Sequence, residues 1–421
     1  MNGRDELGRL RVLVIGLARS GRAAAEALAA HGAAVVGYDR DPALDTGRLG
    51  ELGVEIHVGR EEETLLTGID LVVKSPGVPG ETPLVAGARA REIPVWSEIE
   101  LGARLLDSPI LGVTGTNGKT TTCELLGAMF RAAGRPVEVA GNVGRPLSSL
   151  NRTVGPETWV VCELSSFQLE DVDTLKPAVA VLLNLEPDHL DRHGSFEWYV
   201  DTKLRIFELQ TEDDVAVVPR GFGAIPGGAR RVEFRFDDPL PAEPFIPGAH
   251  NRENATAATA AARAAEIGDQ AIADALRTFP GVPHRIELVR ELGGVRYVND
   301  SKATNVAAAR RALASFPDAR LHVILGGRGK DEPFRPLADA FRPGDRAYLI
   351  GEAADAIAAT LDGAGVQYVR CGDLERALGE AAAGAANGDV VLLSPACASF
   401  DQFDDFEARG DAFRRLVEER R

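Results

Sequence analysis

The apolar run Ile110–Val113 leads into Gly115-Thr116-Asn117-Gly118-Lys119-Thr120-Thr121, and a helix-forming stretch follows to about Ala132. A glycine loop between strand and helix points backbone N–H groups and the positive end of the helix dipole at an anion. It also limits the fold, because this junction belongs to a buried strand that hands over to a helix on the face of a sheet. Lys119 is spaced to reach the β- and γ-phosphates of a nucleotide, and the Thr120 hydroxyl to ligate Mg2+. Strict phosphate-loop spacing asks for glycine at position 113, where the chain has Val113. The loop is therefore a variant, and an ordinary Gly-rich βα turn is the plainer alternative.

The same rhythm repeats on both sides. Strands are expected at Val12–Ile15, Ala34–Tyr38, Val54–His57 and Leu71–Lys74, with a helix from about Ser20. Residues 92–97 contain a proline and read as a connector. After the loop, strands are expected at Trp159–Cys162 and Val179–Leu183, and a helix over Phe196–Leu209 carries Lys203. The Gly- and Pro-rich segment 220–247 holds only short β-like pieces, and the Ala-rich run Glu253–Ile267 reads as helix. Further strands are expected at Arg296–Val298, His322–Leu325, Ala347–Ile350 and Val390–Leu393. Alternating strands and helices imply an α/β protein with parallel sheets throughout. A chain of 421 residues is too long for one core, at roughly 100–200 residues per domain.

The formal charge of −16 argues against non-specific nucleic-acid binding and against a hold on anionic membranes. Placed lysines and helix N-termini can still bind phosphate on such a chain. The four cysteines, Cys123, Cys162, Cys371 and Cys397, form no CxxC pair and read as buried thiols. No apolar run approaches the ~20 residues of a membrane span, and no signal-peptide pattern opens the chain. A cytoplasmic protein without membrane insertion is expected.

Other strand ends carry chemistry. Glu163 closes the strand Trp159–Cys162, where parallel sheets bind ligands. Alone it would be a solvated terminus; beside a phosphate loop it is a candidate metal ligand. His189 lies among carboxylates in Asn184-Leu185-Glu186-Pro187-Asp188-His189 and suits the same ion, whereas Lys203 by itself reads as a solvated helix lysine. The first stretch has Gly16-Leu17-Ala18-Arg19-Ser20-Gly21, with Asp39 about twenty residues on, a degraded dinucleotide arrangement. It supports nucleotide or pyrophosphate binding, and NAD only weakly, because Ala18 replaces the glycine of closest approach. Ser75-Pro76-Gly77 ends another strand on that rim. The strings Asn299–Asn305, Gly326–Lys330 and Ser394–Phe403 each follow an expected strand and offer lysines, hydroxyls and glycines for carboxylate or phosphate.

Together these strings resemble the Mur ligase family. The resemblance rests on GTNGKTT at 115–121, ELSSFQLE at 163–170, NLEPDHLDRH at 184–193, GAHNRENATAA at 248–258, NDSKATN at 299–305 and SPACASFDQFDDFEARG at 394–410. The first marks a wider group that includes folylpolyglutamate synthases; NDSKATN and SPACASFDQF point to the D-glutamate-adding branch. The resemblance implies a Rossmann-like N-terminal domain for the UDP precursor (1–96), a central P-loop ATPase-like domain (97–283) and a C-terminal Rossmann-like domain for the amino acid (284–421), with closure of the third domain onto the second. It implies a monomeric ATP-dependent ligase that adds D-glutamate to UDP-N-acetylmuramoyl-L-alanine through an acyl phosphate. The implied ions are Mg2+ at two sites, or Mn2+ in their place.

Residue by residue, it implies that Gly115, Thr116, Asn117, Gly118, Lys119, Thr120 and Thr121 hold ATP phosphates, with Thr120 on Mg2+. Glu163 would hold one Mg2+, and His189 with a carbamylated Lys203 a second; a carbamate turns a cation into an anionic oxygen ligand for a hard metal. Asn251, Asn254, Arg285 and Asp300 would contact the nucleotide, and Asn142 the substrate. Leu17, Ala18, Asp39, Arg40 and Gly77 would form the UDP pocket. Lys302, Thr304, Lys330, Ser399 and Phe406 would form the amino-acid pocket. Arg328, where some members have an acid, and Ala18-Arg19, where a polar residue often holds pyrophosphate, depart from the family pattern. Two rivals remain: a related ligase with another amino acid or acceptor, such as a folate polyglutamate synthase, which would not need the N-terminal unit, and an NAD-dependent oxidoreductase or non-catalytic nucleotide-binding protein, against which the GKT loop, Glu163 and His189 count.

Overall fold

A computed structural model describes residues 6–188, 190–246, 248–329 and 332–420. The chain divides into two compact units, Met1–Phe279 and Pro280–Arg421. The first carries two sheets and the second carries one.

The N-terminal sheet contains β1 (Arg11–Ile15), β2 (Ala34–Asp39), β3 (Glu55–Val58), β4 (Leu71–Lys74) and β5 (Val95–Ser97), in the order β3-β2-β1-β4-β5. All its pairings are parallel. Segment 92–97, read above as a connector, thus ends in a strand. Pro94 stands just before β5, at the sheet edge, where a missing N–H breaks no ladder, and its carbonyl accepts from Val72 N at 2.9 Å. Helix α1 (Arg19–Ala30) follows the first glycine loop. A Cβ on Gly21 would stand 1.7 Å from the Gly16 carbonyl oxygen, so only glycine lets α1 approach the loop this closely.

Ser97 caps α2 (Glu98–Leu105), its hydroxyl accepting from Glu100 N. This helix ties the two sheets of the unit together. The Glu100 carboxylate accepts from the N–H groups of Asp173, Thr174 and Leu175, which, against its burial, hold its pKa below the usual carboxylate range.

The central sheet contains β6 (Ile110–Thr114), β7 (Val137–Gly141), β8 (Trp159–Glu163), β9 (Val179–Leu182), β10 (Val215–Pro219) and β11 (Arg230–Phe234). Its order is β11-β10-β9-β6-β8-β7, parallel throughout. Every residue of β6 is buried, as a strand covered by helices on both faces must be. Helices α3 (Lys119–Ala132) and α5 (Ala249–Ala264) pack on the sheet, and α4 (Phe196–Leu204) brings Lys203 to the loop after β6. The long helix starts one turn earlier than its alanine run suggests, with Gly248 as N-cap.

In the second unit, β12 (Glu287–Leu292), β13 (Val295–Asn299), β14 (Leu321–Gly326), β15 (Arg346–Ile350), β16 (Gln367–Gly372) and β17 (Val390–Leu393) lie in the order β12-β13-β17-β14-β15-β16. Here the expectation of parallel sheets throughout fails, because β12 and β13 pair antiparallel. Two residues, Gly293 and Gly294, join them, at φ 59° and 76°. So short a loop can make a hairpin but no crossover. Helix α6 (Phe406–Glu418) closes the unit.

Candidate functional site

The C-terminal ends of β6, β7, β8 and β9 bring the central candidates together. Gly118 is the N-cap of α3 at φ 85°. Asn254, on α5, lies against it, so that a Cβ at 118 would stand 2.1 Å from Asn254 Oδ1. The loop is braced from β9: Asn184 Oδ1 accepts from Asn117 N at 2.8 Å, and its Nδ2 donates to Asn117 O at 3.2 Å. Glu186 Oε2 accepts from Asn117 Nδ2 at 2.9 Å. Thr116 Oγ1 meets the Tyr199 hydroxyl at 2.9 Å.

Two lysines converge on one carbonyl. Lys119 Nζ donates to Gly115 O and Thr116 O, each at 2.9 Å, and Lys203 Nζ donates to Gly115 O at 3.0 Å. Lys203 is 2% exposed, which overturns its bland reading as a solvated lysine. Burial first, and then the Lys119 ammonium, push its amine down to about 7. Its ammonium stands 4.8 Å from the Tyr199 ring centroid.

Glu163 is buried at the end of β8. Its Oε1 accepts from Asn142 Nδ2 at 3.0 Å, and its backbone carbonyl accepts from Asn142 N at 2.9 Å. Its Oε2 is buried and accepts no hydrogen bond among the described residues. An unpaired buried carboxylate oxygen is costly, and a divalent cation at that oxygen would offset the cost. Thr120, buried on the first turn of α3, supplies a neutral oxygen on the same strand-end edge. These donors are all oxygens, which suits Mg2+. His189 and Lys330 lie outside the described residues.

The N-terminal candidates share a second rim. Leu17 N donates to Asp39 Oδ2 at 2.7 Å, while the Leu17 side chain is fully buried in the core; only its backbone faces the loop. Asp39 Oδ1 accepts from Asp41 N at 2.9 Å. Ser75 Oγ donates to Gly16 O at 2.7 Å, so the loop after β4 is stitched to the first glycine loop. Ala18, Arg40 and Gly77 are exposed along it.

In the second unit three loops gather at the ends of β13, β14 and β17. Arg409 of α6 ties two of them and is 1% exposed. It donates to Ser301 Oγ at 2.9 Å, Ser301 O at 2.9 Å and Cys397 O at 3.1 Å. Burial lowers its pKa to about 10, still far above neutral. Asp300 is fully enclosed, accepting from Ser394 Oγ at 2.8 Å and Ile286 N at 3.2 Å. Burial raises its carboxyl to about 7, against the pull of Ser394 and Arg285. Lys302 Nζ stands 5.8 Å from the Phe406 ring centroid. Ser399 is buried, and Thr304 and Arg285 are half-buried. Arg328, on the β14 loop, pairs with Glu352 at 3.1 Å. Sequence reasoning missed Asn184, Tyr199 and Arg409 as parts of these sites; the Asn at the end of β9 and the Arg in FEARG carried no charge pattern that set them apart.

Comparisons with known proteins cover the chain from end to end. Three family models match: the Mur ligase MurD-like N-terminal domain at residues 10–97, the Mur ligase middle domain at 113–222 and the Mur ligase glutamate ligase domain at 284–397. A UDP-N-acetylmuramoylalanine–D-glutamate ligase of Sphingopyxis alaskensis is 46% identical, over 97% of this chain and 97% of that protein. Another, of Acidobacterium capsulatum, is 42% identical over 98% and 97%. Among solved structures, a MurF ligase from Thermotoga maritima in complex with ADP has a TM-score of 0.59 at 21% identity, covering 85% of this chain and 91% of that one. A UDP-N-acetylmuramate–alanine ligase from the same organism has a TM-score of 0.57 at 20% identity, covering 97% and 98%. These two speak for the fold alone.

Proposed function

The chain belongs to the Mur ligase family, and on that premise we propose that it is an ATP-dependent ligase joining D-glutamate to UDP-N-acetylmuramoyl-L-alanine in peptidoglycan precursor synthesis. Relatives of that name, matched over nearly their whole length, support the reading. The observation that carries it within the structure is the buried Glu163 Oε2, without a hydrogen-bond partner among the described residues, beside a phosphate loop crowded by two lysines.

The reaction joins groups that repel. The acceptor carboxylate attacks the γ-phosphorus of ATP, and ADP leaves. The amine of D-glutamate then attacks the acyl carbon and loses a proton, and inorganic phosphate leaves. Lys119 and the N-terminus of α3 are assigned to the β- and γ-phosphates, where their positive charge offsets the repulsion between carboxylate and nucleotide. Gly115 to Thr121 cradle the phosphates through backbone N–H groups. Asn254, from the side of the loop, and Asn251, Arg285 and Asp300 are assigned to the nucleotide.

Thr120 and Glu163 are assigned to one Mg2+, and His189 and Lys203 to a second, with Mn2+ as an alternative ion. Bound there, the ions would neutralise charge on the transferring phosphoryl group. Carbamylation of Lys203 forms a bond from its neutral amine to the carbon of CO2 and releases a proton. An amine pushed down to about 7 is neutral far more often near pH 7 than an ordinary lysine. The carbamate keeps an N–H that can still donate to Gly115 O. Asn142 steadies Glu163 and is assigned to the acceptor. The backbone at Leu17 and Ala18, with Asp39, Arg40 and Gly77, is assigned to the UDP moiety. Lys302, Thr304, Lys330, Ser399 and Phe406 are assigned to D-glutamate. The domain edges are drawn at 96/97 and 283/284. One chain is proposed as the working unit, and the cytoplasm as its place, where nucleotide-linked precursors and ATP are found.

The test is phosphate release with UDP-N-acetylmuramoyl-L-alanine, ATP and Mg2+. D-glutamate should drive release, whereas L-glutamate or buffer should not. Equal release in all three would refute the assignment.

A further inference from the structure

Arg192 has no part in the reaction as assigned, yet its surroundings are closely defined. It sits in the short helix Leu190–His193 that follows β9. Its Nη1 donates to Pro76 O at 3.0 Å and its Nη2 to Val78 O at 3.3 Å. Nη2 also meets Glu170 Oε2 at 3.1 Å, and the guanidinium lies 3.8 Å over the Phe167 ring. The side chain is 14% exposed. Glu170 is further held by Lys74 Nζ at 3.2 Å, and Lys74 also pairs with Asp171 at 2.8 Å.

The two carbonyls that Arg192 grips flank Gly77. One edge of their loop is already sewn to the first glycine loop by Ser75; Arg192 holds the other. A planar guanidinium can serve two carbonyls and a carboxylate at once while stacking on a ring, which an ammonium cannot. The grip comes from the same chain segment, 184–193, whose Asn184 braces the phosphate loop. Holding a loop in its bound shape removes the ordering cost that a ligand would otherwise meet.

We propose that Arg192 is a positioning residue for the UDP-linked acceptor: it fixes the backbone of residues 76–78 so that the acceptor pocket is preformed. This rests on assigning the loop at Gly77 to the UDP moiety. The rival role is plain reinforcement of the fold, in which case its loss would lower the melting temperature and weaken ATP and acceptor use alike.

Arg192→Met keeps an apolar stem against Phe167 and removes every donor; Arg192→Lys keeps the charge. For each variant and the wild type, the measurements are kcat, KM for the acceptor and for ATP, acceptor affinity by titration calorimetry, and Tm. R192M should raise the acceptor KM and Kd about tenfold, R192K by less, with the ATP KM within about twofold of wild type. Guanidinium ion added to R192M should restore part of the acceptor affinity. An unchanged acceptor KM, or acceptor and ATP constants rising together with a fall in Tm, would overturn the proposal. Should R192M not fold, R192K decides it by the same split. Wild-type protein that fails to bind the acceptor would sink the ligase reading; wild type and R192M binding it equally would sink only the role of Arg192.

Discussion

Replacing Lys203 by methionine should make the apo fold more stable and the enzyme inactive. The amine is pushed from 10.5 to about 7 in the fold. Holding a group there at pH 7, instead of at its unfolded value, costs roughly 4 kcal/mol, at 1.36 kcal/mol per unit. Methionine removes that cost and fills a similar volume. It also forfeits the bond to Gly115 O, worth about 1 kcal/mol, and the contact with the Tyr199 ring, worth about 0.5–1 kcal/mol. The net expectation is a gain of roughly 2 kcal/mol at pH 7. The sign with pH follows from proton counts. Between about 7 and 10.5 the unfolded chain holds the proton and the fold does not, so wild-type stability rises with pH across that window and the advantage of the variant shrinks. Trp96, Trp159 and Trp198 all lie in the unit Met1–Phe279, so urea unfolding followed by tryptophan fluorescence reports on the correct unit. The buffer must be free of CO2, since a carbamate would change the wild-type charge. A variant less stable than wild type at pH 7, or a difference that does not change up to pH 10, would refute the reasoning. Activity retained in K203M would separately refute the metal-ligand role.

Gly118→Ala forces an L-residue into φ 85° with its Cβ 2.1 Å from Asn254 Oδ1; a loss of roughly 2 kcal/mol, read by the same unfolding assay, should accompany at least a tenfold loss of ATP affinity. Asp300, with its carboxyl raised from 3.8 to about 7, stays protonated in the fold while the unfolded chain ionises. The stability of the second unit should therefore fall as pH rises from 4 to 7, and Asp300→Asn should remove that slope and gain up to about 4 kcal/mol at pH 8. Hydrogen exchange of peptides covering β13, corrected for intrinsic rates, measures it; a slope that survives in D300N would show that another group is responsible.

The parts of the fold legible in the sequence were those set by local periodicity. The buried strands of β1, β4, β6, β9, β14, β15 and β17 stand out as short apolar runs, because strands covered on both faces need no alternation. Edge strands were harder. β7 and β16 carry Glu138, Gln367 and Arg370 among their apolar residues, and β5 follows a proline. The hairpin β12–β13 carries the usual two-residue turn signal, Gly293-Gly294 between two strand-like runs. Candidate site residues were legible where their chemistry is unusual at a strand end, as with Glu163. Arg409 and Arg192 could not be found this way. What singles them out is the set of backbone carbonyls they serve, and those carbonyls come from segments distant in sequence.

The substitution that made the phosphate loop look imperfect, Val113 for glycine, now has a structural account. Val113 is fully buried in β6 and pairs in register with Glu163 of β8. A glycine there would give up side-chain burial worth ~1.5–3 kcal/mol and loosen the strand at the point where the acid must be held. The turn is deferred instead to Gly115, at φ 143°, whose carbonyl accepts from Lys119 and Lys203. Deferring the turn brings two amines to one oxygen, and their mutual repulsion, added to burial, lowers the Lys203 amine. Val113 thus backs the strand end that carries Glu163, on the edge where Lys119 and Lys203 meet Gly115 O. Val113→Gly should raise the Lys203 pKa and weaken ATP use together, whereas either change without the other would separate the two.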